Sequence, residues 1–292
     1  MTAAPHVYTL TGNLLAERTL EFAAWSPGRT QRAAAESFQV GGKGINVAKM
    51  LHRLGTPPTA LCFTGGATGA ECEAWLHRQA FASRCFATAT PTRAGTVVRD
   101  RSAAHRETTF LGADSPVDAT ALLECADFLD TLPAGQVLAF CGSFPGWAEP
   151  ACEPLRAALL RWLQRGLLLV DTYGPPLLWA ASQPVTLIKI NADELRTLGA
   201  AENEFPSAPR AWVVTDGPGA IRVRDETGRL DTLQPPAIVE VSPTGSGDVL
   251  LACIAHARLA KHVPLRDAVA FAIPYAAANA AHPGVADFRL PL

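Results

Sequence analysis

From Val117 to Leu198, short runs of consecutive apolar residues alternate with longer stretches of helical spacing. Val117 to Asp130 reads as a helix, Gln136 to Cys141 as a strand and Glu153 to Arg165 as a helix; Leu167 to Asp171 and Thr186 to Ile190 are strands, and Ala192 to Leu198 is a short helix. Strands buried on both faces are continuously apolar, and strands separated by helices join through right-handed crossovers. The pattern predicts an α/β chain with a mostly parallel sheet covered by helices on both sides. Ligands of such sheets bind beyond the carboxyl ends of the strands. Polar residues gather at those ends: Ser143 after one strand, Asp171 and Tyr173 after another, and Lys189, Asn191 and Glu194 around a third.

The flanking segments extend the pattern. His6 to Thr11 is β-prone and is followed by Asn13, Glu17 and Arg18, which makes Glu17 either a contact for a substrate hydroxyl or a solvated loop acid. Thr59 to Thr64 reads as a buried strand, Gly65-Gly66 as its exit turn and Gly69 to Phe81 as a helix. Val97 to Asp100 and Glu107 to Leu111 pair across the polar stretch Arg101 to Arg106, a hairpin that suggests a projecting flap, with Arg93 just before it. Ala211 to Thr215 is a strand ending in Thr215-Asp216-Gly217-Pro218-Gly219, and Ile221 to Arg224 with Arg229 to Leu233 forms a second hairpin. A strand is expected at Ala237 to Val241, a helix from Val249 to about Lys261, and a last helix starting near Pro264 that Pro274 should kink.

Two glycine turns stand where helices begin. Gly41-Gly42-Lys43-Gly44 precedes Ile45, Ala48 and Leu51 at helical spacing, and Gly55 closes that helix. Gly245-Ser246-Gly247-Asp248 leads into the second of these helices. Unpaired amides at a helix N-terminus attract anions, phosphate above all. Lys43 adds a positive charge that the helix dipole does not favour, and Asp248 sits where a carboxylate could take a proton from a hydroxyl. Taken alone, the second turn reads equally as a capped helix start. It is neither a Walker loop nor a dinucleotide fingerprint.

Composition excludes several classes. The 292 residues are 48% hydrophobic, enough for a sizeable core, and a net charge of -2 provides no basic field for nucleic acid. No apolar run approaches the ~20 residues of a membrane span, and the expected location is the cytoplasm. Seven scattered cysteines without Cys-x-x-Cys fit reduced thiols, and dispersed histidines argue against a structural metal.

Together the two glycine turns resemble the signatures of the PfkB-type carbohydrate kinases of the ribokinase-like superfamily, and the resemblance spans essentially the whole chain. Gly41-Gly42-Lys43-Gly44-Ile45-Asn46-Val47-Ala48 resembles the N-terminal signature in the lysine-containing form of phosphosugar kinases such as 1-phosphofructokinase and tagatose-6-phosphate kinase. Ser242-Pro243-Thr244-Gly245-Ser246-Gly247-Asp248 resembles the C-terminal one, with Asp248 in the position of the catalytic base. Cys141-Gly142-Ser143-Phe144-Pro145 is similar to a Ser-Gly-Ser-hydrophobic-Pro turn, and Lys189-Ile190-Asn191 through Glu194 to a Lys-x-Asn-x-x-Glu element near the ATP phosphates and magnesium.

The resemblance implies a single ribokinase-like three-layer α/β/α domain over 1–292, with β-lid segments near 14–40 and 93–112. It implies transfer of the γ-phosphate of ATP to a phosphosugar, with Mg2+ held through water by Asn191 and Glu194. Gly245, Ser246, Gly247 and Asp248 would form the catalytic group; Glu17, Gly41, Gly42, Lys43, Asn46, Arg93 and Ser143 would bind the acceptor, Lys43 and Arg93 through its phosphate. Lys189, Asn191, Glu194, Thr215, Gly217, Gly219 and Asn279 would bind ATP, Asn279 near the adenine. A homodimer through the lid is the implied assembly. Two acceptor-side positions depart from the family: Glu17 stands where an aspartate is usual and Gly95 where an asparagine is common. A kinase for a plain sugar or nucleoside, and a non-catalytic nucleotide- or sugar-binding regulator, are the alternatives.

Overall fold

The computed structural model describes residues 5–100, 102, 107–199 and 204–291. In chain order the strands and helices are β1 (Val7–Thr11), β2 (Leu15–Phe22), β3 (Ala35–Gly41), α1 (Lys43–Arg53), β4 (Thr59–Thr64), α2 (Gly66–Arg78), β5 (Ser83–Ala87), β6 (Arg93–Asp100) and β7 (Glu107–Leu111). They continue with α3 (Ala119–Thr131), β8 (Val137–Cys141), α4 (Glu153–Leu163), β9 (Leu167–Asp171), α5 (Pro175–Ala181), β10 (Leu187–Asn191), α6 (Ala192–Arg196), β11 (Trp212–Thr215), β12 (Ile221–Arg224), β13 (Leu230–Leu233), α7 (Ser246–Ala260) and α8 (Leu265–Ala280).

Among the described residues the strands form a nine-stranded sheet in the order β13-β12-β11-β10-β9-β8-β1-β4-β5, and a four-stranded sheet in the order β3-β2-β6-β7. The large sheet is parallel from β5 to β11 and antiparallel where β12 and β13 extend its edge. The apolar run Val137–Cys141 explains why both faces are covered. Leu138 and Phe140 enter one core with residues of α3 and α4. Val137, Ala139 and Cys141 enter a second core with residues of α1, α7 and α8. Parallel register then brings strand ends together: Thr11 lies beside Cys141, Cys141 beside Asp171, and Asn191 beside Thr215. No helix among the described residues is long and apolar enough to cross a membrane.

Several elements differ from the sequence expectations. Residues 237–241 form no ladder; the Val241 and Ser242 amides donate instead to the Ala280 carbonyl at 2.8 and 3.1 Å. Pro235, Pro236 and Pro243 bracket this stretch and cannot donate to a neighbouring strand. Strand β5 and helix α5 were not anticipated: β5 is a mostly exposed edge of polar and apolar residues, and α5 opens on two prolines. Helix α2 starts at Gly66 rather than Gly69. Pro264 is the N-cap of α8, which continues through Pro274. The connection at Arg101 to Arg106 lies outside the described residues except for Ser102.

Candidate active site

The N-termini of α1 and α7 meet at the carboxyl edge of the large sheet, and the small sheet stands over them. Between the two sheets lies a cleft of about 1370 Å³. One wall includes Glu17, Gly42, Lys43, Asn46 and Arg93; at the floor are Gly245, Ser246, Gly247 and Asp248. Lys189, Asn191, Glu194, Thr215 and Gly217 line the remaining side. Chain-distant residues thus converge because parallel strands place all their exit loops on one edge.

Gly245 is the N-cap of α7 with φ of 77°, a left-handed conformation that a side chain resists. The Ser246 amide donates to the Pro243 carbonyl and the Val249 amide to that of Gly245, whereas the Gly247 and Asp248 amides find no acceptor among the described residues. Two free N–H groups at the head of a fifteen-residue helix make an anion hole. Beside it, a Cβ on Gly247 would lie 2.3 Å from the Lys189 ammonium, so only glycine leaves that cation room. Positive charge and free amides therefore face the same point.

The charges of the floor are interlocked. Asp171, fully buried, accepts from Lys43 with one oxygen and from Lys189 with the other, each at 2.7 Å. Burial opposes its charge, but the two ammonium groups prevail and hold its pKa below the ordinary value. Burial likewise disfavours the Lys43 cation, yet Asp171, Asp248 and Glu194 outweigh it and raise its pKa. Asp248 is the opposite case. Burial, reinforced by the nearby Asp171 charge, pushes its pKa up to about 6, while Lys43, Lys189 and a hydrogen bond from Asn46 pull the other way. A carboxylate poised near 6 suits proton abstraction at neutral pH.

On the wall formed by the small sheet Glu17 accepts from Gln39 at 2.5 Å, and Gln39 accepts from the buried Lys49 at 3.0 Å. Burial lowers the pKa of Lys49 to about 8 against the opposing pull of Glu17 and other carboxylates. Arg93 pairs with Asp114 at 3.1 Å, and its buried Nε has no partner among the described residues. Lys43 turns toward Asp171 and, at 3.5 Å, Glu194, residues of the opposite side of the cleft. The two departures from the family, Glu17 and Gly95, are register partners on neighbouring strands of the small sheet.

Not every expected residue reaches the wall of the cleft. Asn279 is fully buried behind the turn, its amide donating to the Thr244 carbonyl and the Ser246 hydroxyl and its oxygen accepting from the Ala286 amide. Its side chain thus braces the Thr244–Ser246 turn from behind. Ser143 accepts from Asn13 at 2.9 Å, and Gly41 and Gly219 stand next to wall residues. Asp171, conversely, was visible only as a strand-end polar residue, and its role as shared counter-ion needed the parallel register. Gln39 carried no sequence signal.

Among the described residues no group of three or more His, Cys, Asp or Glu could cage a cation. Asn191 Oδ1 and Glu194 Oε2 are engaged in a capping box at the start of α6, while Glu194 Oε1 faces Lys43. One carboxylate oxygen suits an ion that retains water and arrives on phosphates, as Mg2+ does.

Comparison with known proteins identifies the family and the fold. The family model of the pfkB family carbohydrate kinases matches residues 10–291. A 1-phosphofructokinase of Xanthomonas campestris is 30% identical over 271 residues, covering 86% of this chain and 83% of its own. The structure of phosphofructokinase-2 from Escherichia coli in complex with potassium superposes with a TM-score of 0.86 at 22% identity, over 96% of this chain and 94% of that one. Ribokinase from Thermotoga maritima superposes with a TM-score of 0.72 at 15% identity, over 97% and 95% of the two chains. The fold is ribokinase-like α/β, with a large, mostly parallel sheet and a smaller separate one.

Proposed function

The chain belongs to the pfkB family of carbohydrate kinases, ATP-dependent phosphotransferases, and from that premise we propose that Asp248 deprotonates a hydroxyl of a phosphosugar while the Gly247 and Asp248 amides receive the γ-phosphate of ATP. The acceptors that fit are of the fructose 1-phosphate, fructose 6-phosphate or tagatose 6-phosphate class. One observation carries this function: a buried carboxylate with a pKa near 6 sits at the head of a helix whose first amides are free, beside two lysines.

The acceptor hydroxyl approaches Asp248, whose orientation Asn46 fixes through a 2.8 Å hydrogen bond. Lys189 and the free amides hold the phosphoryl group in line, so catalysis rests on positioning and charge stabilisation. Lys43 lies between the two sides and neutralises charge on the group in transit. Arg93 retains an unpartnered buried donor for the phosphate already on the acceptor, and Glu17 grips acceptor hydroxyls. Magnesium carried by ATP would be met by Glu194 and Asn191 through water, and it supplies charge neutralisation on the phosphates. The small sheet excludes water from the cleft and limits hydrolysis of ATP.

ADP release measured across phosphosugars, plain sugars and nucleosides tests the assignment. Turnover on a phosphosugar, lost in Asp248→Asn, is expected. Equal use of fructose and its phosphates would move the assignment to a plain-sugar kinase. Stabilisation by ATP without turnover on any acceptor would indicate a binding regulator.

A further inference from the structure

The segment 283–288 is touched from three sides. Val285 packs so closely on the anion-hole turn that a Cβ on Gly245 would lie 2.3 Å from its Cγ1. Asn279 ties the two together, accepting from the Ala286 amide at 2.8 Å and donating to the Thr244 carbonyl at 2.9 Å. From α1, Arg53 donates to the carbonyls of Ala286 and Phe288, each at 2.5 Å, and its guanidinium lies over the Phe288 ring. From the small sheet, Arg99 donates to the Pro283 carbonyl at 2.5 Å. Arg99 is held for that contact by Glu107, its register partner, at 3.2 Å, and the other oxygen of Glu107 faces the Ser242 hydroxyl at 3.5 Å. The small sheet therefore holds Ser242, just before the turn, and Pro283, in the segment that packs against it.

We propose that Arg99 is a positioning residue that transmits closure of the small sheet over the acceptor to the anion hole, through Pro283 and Val285 to Gly245. The proposal rests on the phosphotransfer function given above. A left-handed turn packed on one side by Val285 and braced by Asn279 has little freedom when the segment is clamped. Release of the Pro283 carbonyl lets Val285 withdraw, and the free amides lose their aim. The clamp forms when the small sheet is seated on the cleft, so the donor site is set when the acceptor site is covered.

Two measurements on Arg99→Ala and Arg99→Lys test it. The first is hydrogen exchange of the free protein, which does not depend on the reaction. Arg99→Ala should speed exchange of the hydrogen-bonded amides of Ser246, Val249 and Ala286 by at least severalfold, with exchange of β2 and β3 unchanged, and Arg99→Lys should restore most of the protection. Unchanged exchange at Ser246 and Val249, or loss spread equally over the small sheet, overturns the proposal. The second is turnover with the best phosphosugar of the panel. Arg99→Ala should lower kcat about tenfold, within the range of coupling through packed networks, with KM for acceptor and ATP changed less than about threefold. A raised acceptor KM at unchanged kcat would mean that Arg99 binds the acceptor directly and would also overturn it. A wild-type protein inactive on every phosphosugar would refute the functional assignment, while the exchange experiment would still decide the coupling.

Discussion

The Asn46 side-chain amide donates to Asp248 Oδ2 at 2.8 Å although the two residues are 202 apart in sequence. Each belongs to the first turns of a different helix, so the bond joins the acceptor-side and donor-side glycine turns at the proposed base. It favours the charged carboxylate against burial and the Asp171 charge.

Removal of that donor should therefore raise the Asp248 pKa further. In Asn46→Ala the acid limb of the kcat profile, expected near 6 in the parent, moves to higher pH. A profile from pH 5 to 9 measures the displacement, and an unmoved limb would separate Asn46 from the base.

Asp248→Asn should exchange activity for stability. Its kcat should fall by roughly 10²-fold or more, the range that general bases supply. The folded pKa of about 6 lies above the ordinary 3.8, so the folded state binds the extra proton between these values. This group's favourable contribution is complete below the unfolded pKa and is lost as pH rises through about 6. The neutral isostere should thus be more stable at pH 8 by on the order of 2 kcal/mol, and that advantage should vanish near pH 4. Denaturant titrations at both pH values check the sign.

Lys43 and Arg93 should separate kinetically. Lys43→Ala leaves Asp171 with one of its two cations, and a kcat loss of about 10²-fold or more is expected, comparable with removing an oxyanion donor. Arg93→Ala should instead raise the KM for phosphosugars by about 10- to 100-fold, the value of one or two charged hydrogen bonds, with the KM for ATP nearly constant. Steady-state kinetics with each substrate varied distinguishes the two; a kcat-only effect of Arg93→Ala would contradict its acceptor role.

Gly247→Ala should disable transfer without unfolding the chain. The new methyl would displace the Lys189 ammonium, which the 2.7 Å bond to Asp171 otherwise fixes. Turnover should fall on every acceptor alike, with Tm lowered only slightly. Selective loss on one sugar would place Lys189 on the acceptor instead.

We propose that the small sheet also pairs two subunits, because Phe110 and Leu111 are more than half exposed on its edge strand β7. Phe110→Glu should then shift a dimer to monomer in analytical ultracentrifugation, and a monomeric parent protein would refute the pairing.

The alternation of strand and helix was legible because strands such as Val137–Cys141 are buried on both faces, which leaves no polar interruption. Asp248 and Lys189 were legible as polar residues at a helix start and a strand end, and only the resemblance to a family gave them roles. The partners of Lys43 were not. Its placement before a helix suggested an anion, the family resemblance implied the acceptor phosphate, and only the register that sets β9 next to β8 and β10 shows Asp171 in its reach. The surroundings of Asn279 were hidden for a related reason: the family resemblance implied a place near the adenine, and only the fold shows its amide turned inward to the Thr244 carbonyl. The segment after Pro236 failed as a strand because alternation of apolar residues does not reveal whether a neighbour is available to pair.

Glu17 and Gly95 lie side by side although β3, α1, β4, α2 and β5 separate them in the chain. Substitutions at the two sites are therefore not independent: a shorter acid at 17 and an amide at 95 would occupy one patch of the small sheet, and a change at 17 would also reach α1, because Glu17 accepts from Gln39 and Gln39 from Lys49. With the acceptor bound as proposed, its preference would be shared between the two positions, and re-engineering it calls for paired exchange, Glu17→Asp with Gly95→Asn, rather than a scan of single positions.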